Sequence, residues 1–389
     1  MSGGKHSVII DTDPGVDDAI ALLFAFLSPN IDIRAITLTQ GNTTIENAFR
    51  NIKQILAVQA AHERYLASTA PTDIKVAPPA ALVSRESPVV IALGQGIPLE
   101  GEAEYAHHFH GEDGLGNYFT MNPPNGSGDG QTEAVSKAAA AAGAKTPDAG
   151  AEGLYTVSER SAEDEIIHQL QSHPDKTITI LALGPLSNVA RAMQKAPETM
   201  KKVKHIISMG GAINHPGNIT PVSEFNWFAD GLAAHLVIAS SLPVRVLPLD
   251  VTMVSAVVES RYLYEHVAAL STPLSNFVTQ IIQHILQLTE RSWGYRWLTM
   301  HDPLTIGCLV DNSLVEFEPL HFEVEPSGKL TRGMCIIDRR PPKLNEPAPA
   351  ATKRKNVEVA VRGDTHKFLK LFYYTLFGLD WDTLKKTTS

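Results

Sequence analysis

Apolar and polar positions along the chain alternate in two rhythms. A β-rich run at 7–10 is cut off by Asp11-Thr12-Asp13-Pro14-Gly15. Asp17 is placed to cap a helix that carries Ala19, Leu22, Leu23, Phe24 and Phe26 to about Ser28. A second apolar strand spans 31–39 and ends at Gly41-Asn42. The spacing then predicts a helix over 43–61, with Ile45, Ala48, Phe49, Ile52, Ile55 and Leu56 recurring every 3.6 residues. Strand, polar turn and helix, repeated, is the pattern of a mostly parallel sheet covered by helices.

The same grammar returns later in the chain. Strands are predicted at 177–183, 203–209 and 244–249, the first leading through Gly184-Pro185 into a helix that contains Val189 and Met193. One long helix is expected over 271–288, and a buried helix over 304–310 after His301-Asp302-Pro303. Late, more antiparallel strands fall at 314–324, 333–338 and 356–361, and an amphipathic helix closes the chain at 368–377. The expected fold class is α/β: a single domain over 1–389 with a mostly parallel, Rossmann-like central sheet flanked by helices, plus a few late antiparallel strands. One stretch breaks the pattern. Residues 121–160, with Gly126-Ser127-Gly128-Asp129-Gly130 and the alanines 138–142, hold too little apolar surface to pack and read as a flexible low-complexity insertion. A Pro-rich loop covers 339–351.

Composition narrows the class. With 43% hydrophobic and 19% charged residues the chain is globular rather than disordered. A net charge of −9, with no cluster of cations beyond Lys353-Arg354-Lys355, argues against nucleic acid as a macromolecular partner. Two cysteines, Cys308 and Cys335, exclude a disulfide framework and a cysteine zinc site. No apolar run approaches the roughly 20 residues needed to span a bilayer. The start MSGGKHSVII lacks the pattern of a signal peptide, so the expected location is cytoplasmic.

The chemistry concentrates after the first strand. Asp11, Asp13, Asp17 and Asp18 fall within eight residues, at the carboxyl end of a predicted parallel strand, where open α/β sheets bind ligands. Pro14-Gly15 makes a turn that could fold these carboxylates toward one point. Crowded carboxylates raise each other's pKa unless a cation compensates, and an oxygen-only cluster suits calcium or magnesium better than zinc. Capping and helix-dipole effects alone would account for Asp17 or Asp18, but not for Asp11 and Asp13 ahead of the turn.

The run from Asp11 to Ala19, DTDPGVDDA, closely resembles the signature of the inosine–uridine-preferring nucleoside hydrolase family. Further segments follow in that family's order. They are Gly41-Asn42, HGEDGL at 110–115, GPLSN at 184–188, MGG at 209–211, GNITPVSEFN at 217–226 (with Ser223 where alanine is usual), LDVT at 249–252 and HDP at 301–303. The resemblance covers nearly the whole chain apart from the insertion. It implies calcium-dependent hydrolysis of the N-glycosidic bond of ribonucleosides, uridine or inosine favoured, to free base and ribose.

The resemblance also distributes roles. It implies Asp13, Asp18, Asp302 and the backbone carbonyl of Leu183 as calcium ligands. Asp13 is the candidate general base for water, and Asp17 would accept a hydrogen bond from a ribose hydroxyl. Asp11 is as consistent with a supporting role as with direct contact. Asn42, Asn218, Glu224 and Asn226 suit adjacent sugar hydroxyls, and Glu224 and Asn226, alternating with Phe225, would share one face if extended. His301, carried beside Asp302, is the candidate partner or proton donor for the leaving base. His110, Met209 and Phe225 would line the pocket. Trp293, Tyr295 and Trp297 either stack on the base or pack against a helix.

Two rival classes remain. Phosphotransferases with an aspartate nucleophile share the Asp-x-Asp spacing, but Gly15 stands where they carry Thr or Val. A non-catalytic ribonucleoside-binding protein would need no arrangement for activating water, so Asp13, Asp18, His301 and Asp302 argue against it. The expected partner is a small nucleoside, with no membrane or nucleic acid, and the resemblance implies a homodimer or homotetramer.

Overall fold

The first strand, β1 (His6–Thr12), lies near the middle of a nine-stranded sheet, flanked by β2 (Ile31–Leu38) and β5 (Ile178–Ala182). A computed structural model of the chain describes residues 5–69, 87–123, 151–337 and 357–387. Beyond β2 come β3 (Val89–Leu93) and β4 (Tyr155–Val157). Beyond β5 come β6 (His205–Met209), β7 (Val244–Leu247), β13 (Val357–Gly363) and β10 (Val315–Leu320). The order is β10-β13-β7-β6-β5-β1-β2-β3-β4, and every pairing is parallel except β10 with β13. Parallel central strands are buried on both faces, which explains why β1, β5 and β6 read as continuous apolar runs. The expected α/β class, mostly parallel and flanked by helices, is what the structure has.

Helix α1 (Val16–Leu27) follows β1 directly. All of its residues except Asp17 are buried, so Asp17 is the one position at which this helix meets the cleft. Each large apolar side chain it hides, such as Leu22, Leu23 or Phe24, contributes about 1.5–3 kcal/mol. Its N-terminus is satisfied by Asp18 rather than by Asp17, the residue expected to cap it: Asp18 Oδ2 accepts the Gly15 N–H at 3.0 Å. Helix α2 (Ile45–Thr69) runs longer than predicted and packs its stripe of Ala48, Ile52, Ile55 and Leu56 into the same core.

Several boundaries differ from expectation. The helix predicted over 271–288 is two helices, Pro273–Ile281 and Gln283–Trp293, broken at Ile282. The apolar period runs unbroken across that break, since Ile281, Ile282, Ile285 and Leu286 are all buried, so periodicity alone hides it. The strand at 244–249 ends at Leu247, and Leu249–Ser255 is helical. Of the late strands, β13 is parallel to β7 and antiparallel only to β10. The pair β11 (Glu323–Val324) and β12 (Cys335–Ile336) forms a separate antiparallel ribbon. A second small ribbon pairs β8 (Val257–Glu259) with β9 (Trp297–Thr299). Strand β4 falls inside the stretch read as an insertion and extends the sheet beside β3; residues 124–150 of that stretch, the loop 339–351 and Lys353-Arg354-Lys355 lie outside the described residues.

Candidate active site

A cleft of about 590 Å³ opens at the carboxyl ends of the central strands. Every residue singled out for the site from sequence lines it except Asp11, Asp13 and Asp18, which are fully buried. The three carboxylates of Asp17, Asp18 and Asp302 each bring an oxygen within 4.8 Å of the others. Asp302 arrives from the first turn of the helix His301–Val310, far along the chain from the other two. Asp13 adjoins this trio closely enough for mutual repulsion but does not belong to it.

The floor is built by donors aimed at carboxylates. Asp18 accepts from Thr12 Oγ1 at Oδ1, and from Gly15 N and Asn42 Nδ2 at Oδ2. Asp13 Oδ2 accepts the Asn42 backbone N–H at 2.6 Å, whereas its Oδ1 is buried with no partner. Gly41 and Gly184 stand against the two oxygens of Asp13, and a Cβ at either would collide with the carboxylate. Asp11 faces away from the cleft. Its Oδ1 accepts from Thr37 and Asn188, which makes it a support for the strand end rather than a contact residue.

Burial pushes all these carboxyls upward. Asp11 and Asp17 reach about 7, and Asp13 and Asp302 rise well above the ordinary range, with neighbouring aspartates adding to the rise in Asp13, Asp17 and Asp302. Such a cluster lacks a positive charge. The oxygen-only donor set and the orphaned Asp13 oxygen suit a hard divalent cation.

The sugar-side candidates hold one another. Glu224 is not on an extended segment with Asn226, as the alternation suggested; it caps the short helix Phe225–Ala229. Its oxygens accept from Asn226 N, Trp227 N and Gly211 N, and burial lifts its pKa to about 7. Asn226 Nδ2 donates to the Leu183 carbonyl at 2.7 Å and to the Met209 carbonyl at 3.3 Å. The Leu183 carbonyl therefore sits at the site with one lone pair engaged and one free. Asn218, at the exposed rim, accepts the Phe225 N–H at 2.9 Å.

Two histidines frame the upper part. His301 Nδ1 pairs with Thr252 Oγ1 at 2.8 Å. His110 Nδ1 accepts the Val16 N–H at 3.1 Å, which places its proton on Nε2. Burial lowers His301 to about 4 and His110 to about 3, so both are neutral near pH 7. Trp293, Tyr295 and Trp297 line the mouth. The Tyr295 and Trp297 rings stack at 3.4 Å, Trp293 and Tyr295 at 6.4 Å, and Trp293 is 56% exposed.

Sequence reasoning missed Thr252, His215 and Asn51. Thr252 sat in the LDVT segment without a role, and His215 lines the cleft from the loop after β6. Asn51 left a readable signal: it falls three residues after Ala48 and four before Ile55, a polar side chain on the apolar stripe of α2.

Comparison with known proteins agrees with this geometry. The family model for inosine-uridine preferring nucleoside hydrolases matches residues 8–370. The chain is 29% identical to the enzyme of that name from Crithidia fasciculata over 97% of each chain. It is 30% identical to the one from Leishmania major over 93% of this chain and 95% of the other. Identity to the pyrimidine-specific ribonucleoside hydrolase RihA of Salmonella arizonae is 30%, over 85% and 88% respectively. Among solved structures, the plant nucleoside hydrolase PpNRh1 superposes with a TM-score of 0.73 at 25% identity, covering 95% of this chain and 98% of that one. The purine-preferring ribonucleoside hydrolase of Gardnerella vaginalis gives 0.70 at 26%, covering 98% and 99%.

Proposed function

This chain belongs to the inosine-uridine preferring nucleoside hydrolase family and is a nucleoside hydrolase, and from that premise we propose that it cleaves ribonucleosides, uridine and inosine foremost, with calcium and with Asp13 as general base. The supporting observation is the convergence of Asp17, Asp18 and Asp302 beside the unpartnered Asp13 oxygen under one cleft. Asp13, Asp18, Asp302 and the Leu183 carbonyl would hold the ion, with Asp17 close enough to share it. When bound, calcium would neutralise the carboxylates, orient the sugar diol and lower the pKa of water.

The protein's own groups do the rest. Asp13 Oδ1, free of other donors, takes a proton from the attacking water as the water oxygen bonds to the anomeric carbon. Asp17, at the cleft surface, accepts from a ribose hydroxyl. Asn42, Asn218, Glu224 and Asn226 rim the sugar end, where a missing hydroxyl would leave buried polar groups unpaired; this favours ribose. Met209 and Phe225 supply apolar wall. The departing base leaves with the electrons of the broken C–N bond. His301, its Nδ1 fixed by Thr252, offers Nε2 to that base, and His110 presents an N–H nearby.

The test is release of reducing sugar from uridine, inosine, cytidine and adenosine without phosphate. Turnover is expected with calcium present and is expected to vanish on chelation. Product formed only when phosphate is supplied would mark a phosphorylase, and full activity in chelator would remove the ion from the reading. The resemblance also supports one hydrolase domain across the chain and a homodimer or homotetramer, which light scattering would measure. Among the described residues no helix is long and apolar enough to cross a membrane.

A further inference from the structure

Two turns meet over the floor of the cleft, and one side chain holds both. Asn51 is fully buried in α2. Its Nδ2 donates to the Pro14 carbonyl at 2.9 Å and to the Asp113 carbonyl at 2.8 Å. Both partners are acceptors, so only the NH₂ group can face them and the amide has one orientation. Among the described residues its Oδ1 has no donor, so the two donated bonds aim the side chain.

Pro14 belongs to the turn that carries Asp13 and leads into α1, where Asp17 stands in the first turn, and Asp113 to the turn that follows His110. The same turns touch once more where Val16 N–H donates to His110 Nδ1. Asp113 stiffens its own turn, its carboxylate accepting from Leu115 N, Asn117 N and Phe119 N. Gly114 adopts φ +81° there, and its Cβ position lies only 3.0 Å from Asn51 Nδ2, so any side chain at 114 would press on the clasp.

We infer that Asn51 is a positioning residue: its amide sets the acid turn and the His110 turn in register, fixing where Asp13 and Asp17 stand relative to His110 across the cleft. Its effect on turnover rests on the hydrolase reading above, whereas the clasp rests on geometry alone. Asn51 does not line the cleft. Its loss acts by displacing groups that do, and a shift near 1 Å costs on the order of 100-fold in rate.

The experiment compares the full chain with Asn51→Leu, the isosteric Asn51→Asp, His110→Ala, and Gln59→Leu as a control. Gln59 is equally buried in α2 but, among the described residues, bonds only to Glu63 of its own helix. Asn51→Leu is expected to lower kcat about 10- to 100-fold with KM within about 3-fold, and Gln59→Leu to stay within about 2-fold. Combining Asn51→Leu with His110→Ala should cost less than the product of the single losses. Hydrogen exchange should quicken over residues 13–19 and 108–119 in Asn51→Leu while α2 keeps its protection. Unchanged kcat in folded Asn51→Leu, losses that multiply, or equal losses in Asn51→Leu and Gln59→Leu would each overturn the inference. If Asn51→Leu does not fold, the same readings on Asn51→Asp decide. An inactive wild type whose two segments still loosen in the variant would sink the hydrolase reading and leave the clasp standing. An active wild type with neither segment loosened would do the reverse.

Discussion

The two ends of the cleft are built on opposite principles. At the floor, Asp13 and Asp18 are fully buried, and they are held by backbone and carboxamide donors from two segments, the turn at Gly15 and Asn42. At the mouth, Trp293, Tyr295 and Trp297 lean on one another, and the outermost ring is more than half exposed. The floor is specified by hydrogen bonds that admit one geometry, the mouth by ring surfaces that tolerate many. On the proposed reading the floor takes the sugar and demands a fixed ligand, while the mouth takes the base and would accept a range. The relatives fit that contrast: their names differ in the base they prefer and agree on the nucleoside.

The largest effect should come from the floor. Asp13→Ala is expected to cut kcat by about 10²–10⁴ with the fold kept, measured as ribose release alongside circular dichroism. A fully active variant would remove Asp13 from the reaction and dissolve the contrast. Withdrawing the cation comes next. In chelator-treated protein, Asp11, Asp17 and Glu224 are raised to about 7 in the folded state. Their contribution to stability is present below the ordinary carboxylate pKa and is lost as pH rises through about 7. His110 and His301 act in the opposite sense: their contribution is present above 6.5 and is lost as pH falls toward about 4 and below. Calcium should accordingly raise Tm more at pH 8 than at pH 5.5 in scanning fluorimetry, and an equal or reversed response would count against carboxylates as its ligands.

His301→Ala tests the boundary between the two ends. It should slow natural nucleosides about 10²-fold or more, yet an activated nitrophenyl riboside much less, because a good leaving group needs no help. Equal losses on both would place His301 with the floor. The smallest effect is expected at the mouth. Trp293→Ala or Trp297→Ala should cost about 0.5–1.5 kcal/mol, chiefly in KM and unequally between purine and pyrimidine nucleosides. The same loss for every base would mean that the rings pack rather than read.

Sequence legibility follows the same division. Local signals carried β1, α1 and β2, and the family resemblance carried the candidate site residues, several of whose motifs (11–19, 41–42, 184–188 and 209–211) fall at strand ends, where chain direction and turn chemistry coincide. What stayed hidden depended on distant partners. Nothing local says that Asp17 joins Asp18 and Asp302 while Asp13 stands beside them, since Asp302 meets them only through packing of its helix on α1. The alternation at 224–226 puts Glu224 and Asn226 on one face only if the segment is extended, and nothing in it reveals that Glu224 accepts from Gly211, Asn226 and Trp227. Strand β4 was invisible at three residues, too short to show a period beside a Gly- and Ala-rich stretch.

Helix α1, enclosed on all sides but for Asp17, has no room to roll or slide. If the proposed roles hold, a variant that accepted a different sugar would have to recut the protein's interior, whereas one that accepted a different base would need only to exchange rings on the rim. Divergence on this scaffold is channelled outward, and directed evolution of new nucleoside preferences would do best to confine its libraries to residues 293–297, between the helix Gln283–Trp293 and β9.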